Sequence, residues 1–200
     1  MAIFMKLIVT RHGETVENRK GIIQGHLNIV LSEKGLEQAD LVALRLKDEH
    51  IDAIYSSDLD RAAETARRIV KFHPSIKIHF TKKLRERYLG EFQGKSRKEV
   101  GWDKIEPGGT YTHPKDGETV EDMYERARKF IDSVLHKHKN DTVLVVAHNY
   151  FNKALIAIIE NKSAMQIDSI PNMKNTNISI YEIDEKSRKM LLFNCVKHLE

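Results

Sequence analysis

The sequence predicts an α/β fold: a three-layer α/β/α arrangement with a mostly parallel central sheet and an antiparallel edge hairpin. Short β-branched runs, Ile3 to Val9, Ala53 to Ser56, Ile76 to Thr81 and Thr142 to Ala147, alternate with segments whose apolar residues recur at helical spacing. That alternation is the pattern of a parallel sheet covered on both faces. Thr142 to Ala147 also lacks a polar side, as expected of a strand buried from above and below. Near the end of the chain the pattern changes. Asn177 to Ile183 and Met190 to Val196 alternate around Asp184-Glu185-Lys186-Ser187, which reads as a hairpin.

Taken in order, the first strand stops at Arg11-His12-Gly13, and a loop rich in Gly and Asn runs from Gly13 to Leu31. Ser32 is a plausible N-cap for a helix with Leu36, Ala39, Ala43 and Leu46 inward. After the strand at Ala53 to Ser56, Asp58 or Asp60 can cap a helix whose inner face is Ala62, Ala66, Ile69 and Val70. Lys82 to Gly117 is irregular and punctuated by glycine and proline, with one short helix expected near Ser96 to Trp102. Segments of this kind are commonly functional lids. Trp102, Tyr111 and His113 could line a pocket, although Trp102 could equally anchor the loop to the core. Thr119 opens a long helix with a capping-box-like start, facing inward through Val120, Met123, Ala127, Phe130 and Val134. A last helix follows His148-Asn149, with Phe151, Ala154, Leu155 and Ile158 inward.

Two hundred residues suffice for one domain with a sizeable core, so residues 1–200 are expected to form a single catalytic domain with a lid at about 82–117. No apolar run approaches the roughly 18 residues that cross a bilayer, and Met1 to Met5 lack the features of a signal peptide. A net charge of +4 is spread among acids without long basic runs, which argues for a general attraction to anions and against nucleic-acid or membrane partners. Cys195 is the single cysteine, which excludes an internal disulfide and fits a reducing, cytoplasmic setting. It reads as a small hydrophobe or an idle thiol. The hairpin edge could pair with a second copy as a homodimer.

Residues that follow a parallel strand sit at its carboxyl end, where ligands bind in open α/β sheets. His12, Ser56-Ser57 and His148 are each placed there. Arg11 offers a planar fork of donors suited to phosphate or carboxylate, His12 can be nucleophile, base or metal ligand, and Gly13 permits a sharp turn and a close approach. Arg61, near the start of a helix, adds a second fork beside free backbone N–H groups. Together Arg11, Arg61, His12 and His148 would make a cationic pocket able to bind a phosphoryl group and to stabilise charge on it. The other histidines do not build a metal site: His136 and His138 lie two apart on a helix and face different ways. His50, His73, His79, His113 and His198 lack ligand-spaced partners, so no metal and no cofactor are expected. His26 lies near Gln24, where a substrate contact is conceivable.

Arg11-His12-Gly13-Glu14-Thr15 with Asn18 and Gln24-Gly25, then Ser56-Ser57-Asp58-Leu59-Asp60-Arg61-Ala62-Ala63-Glu64-Thr65, then Glu86-Arg87-Tyr88-Leu89-Gly90-Glu91-Phe92-Gln93-Gly94, and finally Val145-Val146-Ala147-His148-Asn149 occur in this order. The series resembles the histidine phosphatase superfamily, also called the phosphoglycerate-mutase-like family, from about Leu7 to Ile159. The resemblance implies a metal-independent phosphomonoester hydrolase that acts on small phosphorylated metabolites through a phosphohistidine. It implies His12 as nucleophile, Glu86 as general acid, and His148, Arg11 and Arg61 around the phosphoryl group. Asn18, Gln24, Gly25 and Asn149 match substrate-binding positions. From the residues alone, Asn18 and Gln24 could be turn-stabilising amides, and Glu14 is a rival carboxylate that could instead be structural. Tyr88, Lys82, Lys83, Arg85 and Arg87 read as solvated charge or lid residues. The mutase branch carries a longer insertion with paired arginines after the Glu86 motif and a tyrosine where Leu89 stands. The short insertion here implies the phosphatase branch; a mutase and a catalytically silent phospholigand binder are the alternatives.

Overall fold

The structure is a computed structural model that describes residues 4–104 and 114–200. Strands β1 (Met5–Arg11), β2 (Ala53–Ser57), β3 (Ile78–Thr81), β4 (Thr142–Ala147), β5 (Ile178–Ile183) and β6 (Arg188–Cys195) form one sheet in the order β3-β2-β4-β1-β5-β6. β1, β2, β3 and β4 run parallel, whereas β5 pairs antiparallel with β1 and β6 antiparallel with β5. The mostly parallel sheet and its edge hairpin are therefore as the alternation predicts. Register aligns the carboxyl ends: Arg11 sits opposite Ala147, and Val146 opposite Ser56. The residues that step off β1, β4 and β2 consequently share one edge.

The helices are α1 (Val16–Lys20), α2 (Glu33–Leu46), α3 (Asp60–Val70), α4 (Val120–Lys137) and α5 (Asn149–Ile159). Alternate residues of the central strands face opposite layers. Leu7, Val9, Val143 and Val145 pack with Met123, Phe130, Phe151 and Leu155 of α4 and α5. Ile8, Ile54, Leu144 and Val146 pack with Val42, Leu46, Ala62, Ala66 and Ile69 of α2 and α3. Each fully buried aliphatic side chain contributes about 1.5–3 kcal/mol, so both faces must be covered. α5 is buried along its whole length from Phe151 to Ile159, which explains why its sequence shows little polar face. None of the described helices is long and apolar enough to cross a membrane.

Ser32 and Thr119 cap α2 and α4 as expected, accepting from the N–H groups of Gly35 and Asp122. The cap of α3 differs from expectation. Leu59 occupies the N-cap position without a side-chain bond. Asp58 is engaged by Arg85 through two bonds of 2.7 and 2.6 Å, and Asp60 lies inside the first turn, where it accepts from Asn28. The loop Gly13 to Leu31 contains the short helix α1, which the sequence pattern does not announce; a reciprocal capping box between Thr15 and Asn18 starts it and left-handed Gly21 ends it. The third strand begins at Ile78, two residues later than the alternation suggests.

The helix expected near Ser96 to Trp102 is not formed. Ser96 makes an antiparallel bridge with Ile22, and its N–H and hydroxyl are both taken by the Glu99 carboxylate. Gly101, at φ +74°, closes the turn, with Trp102 N–H on Arg97 O and Gly101 N–H on Lys98 O. With Glu99 N–H on Ser96 Oγ at 3.2 Å this is a reciprocal capping box that starts a single turn, and left-handed Gly101 ends it before a helix can propagate. Within the described part of 82–117 the regular pieces are single 3₁₀ turns at Lys82–Leu84, Gly90–Phe92 and Trp102–Lys104. Tyr111 and His113 lie outside the described residues.

One contact fixes where β1 delivers its terminal residues. A Cβ on Gly35 would stand 1.9 Å from Glu14 O, and one on Gly13 would stand 2.3 Å from Gly35 O. The turn after β1 therefore lies directly on the first turn of α2. Gly35→Ala is expected to destabilise the protein by about 1–3 kcal/mol through overpacking, because it displaces the backbone that carries His12. Urea unfolding checks this against Glu37→Ala, an exposed position on the same helix. Equal midpoints for the two variants would contradict the contact.

Candidate active site

His12 leaves β1 with its backbone N–H on Ala147 O at 3.1 Å and its carbonyl bound by Asn175 Nδ2 at 2.9 Å. Its ring Nδ1 lies 2.7 Å from Gly13 O. A carbonyl only accepts, so Nδ1 carries the hydrogen and Nε2 keeps its lone pair. Thr65 Oγ1 holds the same turn, accepting from Gly13 N–H at 3.1 Å and donating to Arg61 O at 2.8 Å.

Arg61 is 1% exposed. Its Nη1 and Nη2 donate to Leu27 O and Gly25 O at 2.8 and 2.7 Å, and its Nε is buried without a partner among the described residues. Arg11 is similar: Nη1 donates to Met173 O at 2.8 Å, and Nε has no described partner. Burial pulls both guanidinium groups down to about 10, against the upward pull of Glu86 on each. Both remain charged at neutral pH. Burial, then the charge of Arg61, holds the His12 and His148 imidazoles well below their ordinary range, so both are neutral there. The two rings lie 5.2 Å apart between centres. The site thus presents two fixed cations with unsatisfied donors beside an unprotonated ring nitrogen.

Glu86 lies across the amino end of α5. Its Oε1 accepts from Phe151 N–H and Arg87 N–H, both at 3.0 Å, and its Oε2 from Tyr150 N–H at 3.1 Å. α5 has no side-chain cap from its own N-cap residue, His148, so this distant carboxylate supplies one. The Glu86 carbonyl accepts from His26 Nε2 at 2.7 Å, and Arg126 of α4 donates to the carbonyls of Lys83 and Arg85 at 2.8 Å. Glu14 lies elsewhere: it accepts from Ser32 Oγ at 3.3 Å and is within 4 Å of Arg19 and Lys34. The structure therefore separates the two rival carboxylates.

Arg11, His12, Asn18, Gln24, Gly25, Arg61, Glu86 and Asn149 all line one cavity of about 160 Å³. His148 is fully buried, directly against the His12 ring that lines it. Asn18 Oδ1 accepts from Thr15 N–H at 3.1 Å, so the group it leaves for a ligand is its Nδ2 donor. Gln24 Nε2 donates to Thr15 Oγ1 at 2.8 Å. Both amides therefore stabilise the turn while facing the cavity. Asn149 ties down the neighbouring loop through Asn172 Oδ1 and Met173 N–H. Gly25, at φ +47°, packs so closely on Gln93 that a Cβ would stand 2.2 Å from Gln93 Oε1.

Of the two readings of Arg87, solvated charge or lid residue, the structure excludes the first. It is 5% exposed, donates to Glu118 O at 2.8 Å and lies over the Tyr150 ring, so it is a wall residue and not solvated charge. Lys153 and Asp168, paired at 2.9 Å, join it on the far wall with Tyr150 and Arg97. No sequence signal marks Lys153 or Asp168, whose meeting depends on the packing of α5 against the 3₁₀ segment Ala164–Ser169. Trp102 both lines the cavity and packs edge-on against Phe92, at 5.8 Å between ring centres.

A model of the histidine phosphatase superfamily (branch 1) matches residues 7–196. Phosphoglycerate mutase-like protein 4 of Arabidopsis thaliana is 30% identical over 206 residues, covering 98% of this chain and 88% of that protein. The metal-independent phosphoserine phosphatase of Arabidopsis thaliana is 30% identical over 202 residues, covering 97% and 83%. Bacillus stearothermophilus YhfR superposes with a TM-score of 0.87 at 32% identity, covering 98% of this chain and all of that one. Phosphoglycerate mutases are also among the relatives. The family acts through a phosphohistidine intermediate, the chemistry for which an unprotonated imidazole between two guanidinium groups is suited. By its sequence over nearly its whole length and by its fold, the chain belongs to the histidine phosphatase superfamily, as a phosphoric monoester hydrolase.

Proposed function

We propose that the hydrolase acts by two successive transfers at His12. Nε2 attacks phosphorus as the bond to the ester oxygen breaks, and Glu86 gives its proton to that leaving oxygen. Water then attacks the phosphohistidine and yields a proton to Glu86, which releases inorganic phosphate and restores the neutral ring. Arg11 and Arg61 hold the non-bridging oxygens through their unpartnered donors, with Asn18 Nδ2 and His148 completing the shell. Gln24, Gly25 and Asn149 shape the wall around the phosphoryl group. Segment 82–117 acts as the lid. The observation that carries this reading is His12 itself, tautomer-fixed by Gly13 O and flanked by two cations that stay charged.

The leaving group would meet Arg87, Arg97 and Lys153 against the carboxylates of Asp168 and Glu86, a net positive wall that favours a small acidic partner. With a phosphoserine phosphatase among the relatives, O-phosphoserine is the first substrate to try. The lone Cys195 fits a reducing, cytoplasmic setting.

The direct test supplies O-phosphoserine and each phosphoglycerate isomer and follows phosphate release, isomerisation and labelling of the protein together. The expected outcome is phosphate release with a label that survives alkali, is lost in acid and is absent from His12→Ala. Isomerisation far in excess of phosphate release would make the protein a mutase. An acid-stable label would remove His12 from the nucleophile's role.

Glu86→Gln is expected to slow turnover by about 10²–10⁴-fold for alkyl phosphates, whose departing oxygen needs a proton, and far less for nitrophenyl phosphate. Equal losses on the two would show that the carboxyl does not act as the acid.

Because both site histidines are held below their ordinary range, their ring resonances should stay at neutral positions as pH falls from about 8 to about 5.5, past the unperturbed value of about 6.5. The unfolded chain takes up these protons near that value and the folded protein does not. Each ring therefore contributes stability that is present above about pH 6.5 and declines below it. Imidazole titrations centred near 6.5 in the folded protein would contradict the burial of the site.

A further inference from the structure

We propose that Ser57 is a positioning residue that fixes the hydrogen of His148 on Nδ1, making His148 a neutral hydrogen-bond donor to the transferring phosphoryl group; the last part rests on the reading of the site above. Ser57 ends β2 and is fully buried, next to the end of β4 that presents His148. Its Oγ has two contacts among the described residues, Leu59 N–H at 3.3 Å and His148 Nε2 at 2.8 Å.

The assignment follows from counting hydrogens. The Leu59 N–H can only donate, so the oxygen of Ser57 accepts there. The hydroxyl hydrogen then needs an acceptor, and His148 Nε2 is the remaining contact. Nε2 can accept only when it carries no hydrogen, which places the single hydrogen of a neutral imidazole on Nδ1. The opposite tautomer would give Ser57 two incoming hydrogens and leave its own buried hydroxyl hydrogen without an acceptor among the described residues. It would also turn a lone pair on Nδ1 outward, an unfavourable group to set beside an anion.

His148 Nδ1 is buried and has no partner among the described residues. It belongs to a ring stacked obliquely on His12, within the field of Arg61 and Arg11. An unpaired N–H in such a place is a donor awaiting an acceptor, and a phosphoryl oxygen is the acceptor that the family's chemistry brings. The preceding residue does not share the role: the Ser56 hydroxyl donates to Ser57 O at 2.9 Å. The hydroxyl of Ser57 thus does for His148 what the carbonyl of Gly13 does for His12.

The test is ¹⁵N NMR of histidine-labelled protein, with His148 assigned by its disappearance in His148→Gln. Wild-type His148 should show a pyrrole-type Nδ1 and a pyridine-type Nε2. Ser57→Ala should shift His148 toward the other tautomer or a mixture and lower kcat about 10- to 100-fold, the range for outer partners that orient functional histidines at metal sites, with KM nearly unchanged. Ser57→Thr, which keeps the hydroxyl, should restore the signature and most of the turnover. A pyrrole-type Nε2 in the wild type overturns the proposal even if the variants fail to fold. So does a Ser57→Ala spectrum that keeps Nδ1 protonated. A tautomer that changes while kcat does not would uphold the assignment of the hydrogen and overturn the contact between His148 and the phosphoryl group.

Discussion

The site depends on a buried guanidinium. Arg61 is anchored by the carbonyls of Gly25 and Leu27, and one helical turn later Thr65 grips the backbone on either side of the gap: Gly13 N–H in the loop and Arg61 O in its own helix. A single face of α3 thus reaches both loops that carry His12 and Gly25 to the cavity. Burying a cation is expensive unless it is hydrogen-bonded and met by opposite charge. Two of its nitrogens are satisfied by backbone carbonyls, the third is not, and the negative charges that act on it are the carboxylates of Glu86 and, more weakly, Glu17. The protein's own groups thus meet the charge of Arg61 only in part, which suits the cavity it lines to an anion.

The same balance accounts for the neutral histidines. With Arg11 and Arg61 already fixed nearby, a third or fourth buried positive charge would be unfavourable, so the imidazoles stay unprotonated. In the proposed mechanism this divides the labour: the arginines would supply charge, and the histidines a lone pair on one ring and a hydrogen on the other. Neither role would survive if the rings were free to exchange tautomers. Each has one nitrogen pinned by an oxygen of the protein, Gly13 O for His12 and Ser57 Oγ for His148.

Legibility from sequence followed the range of the interactions involved. Strand ends are local features, so Arg11, His12 and His148 could be placed at one sheet edge from apolar runs and the glycine that follows. Ser32 and Thr119 act within a single turn and were equally readable. Asp58 and Asp60 were not, because the nearest suitable side chain does not cap when an arginine from another segment, Arg85, takes it. The helix expected at Ser96 is capped by Glu99 but stops after one turn, because Gly101 turns left-handed. Arg87 looked like surface charge because nothing in its neighbourhood of the chain announces Glu118 and Tyr150 as its surroundings. The pairing of Lys153 with Asp168 and the grip of Arg126 on the Glu86 segment likewise exist only once the layers are assembled.

The carboxylate of Glu86 serves α5 as well as the cavity. The amides of Tyr150 and Phe151 have no other cap, so the start of the helix is electrically bound to a group proposed to release and recover a proton in every cycle. Each loss of charge at Glu86 would loosen the first turn of a helix whose remaining length is locked in the core. The chemistry would then have a mechanical echo: a helix end that tightens and slackens with turnover, at the very place where Asn149 tethers Asn172, another lining residue, and Met173.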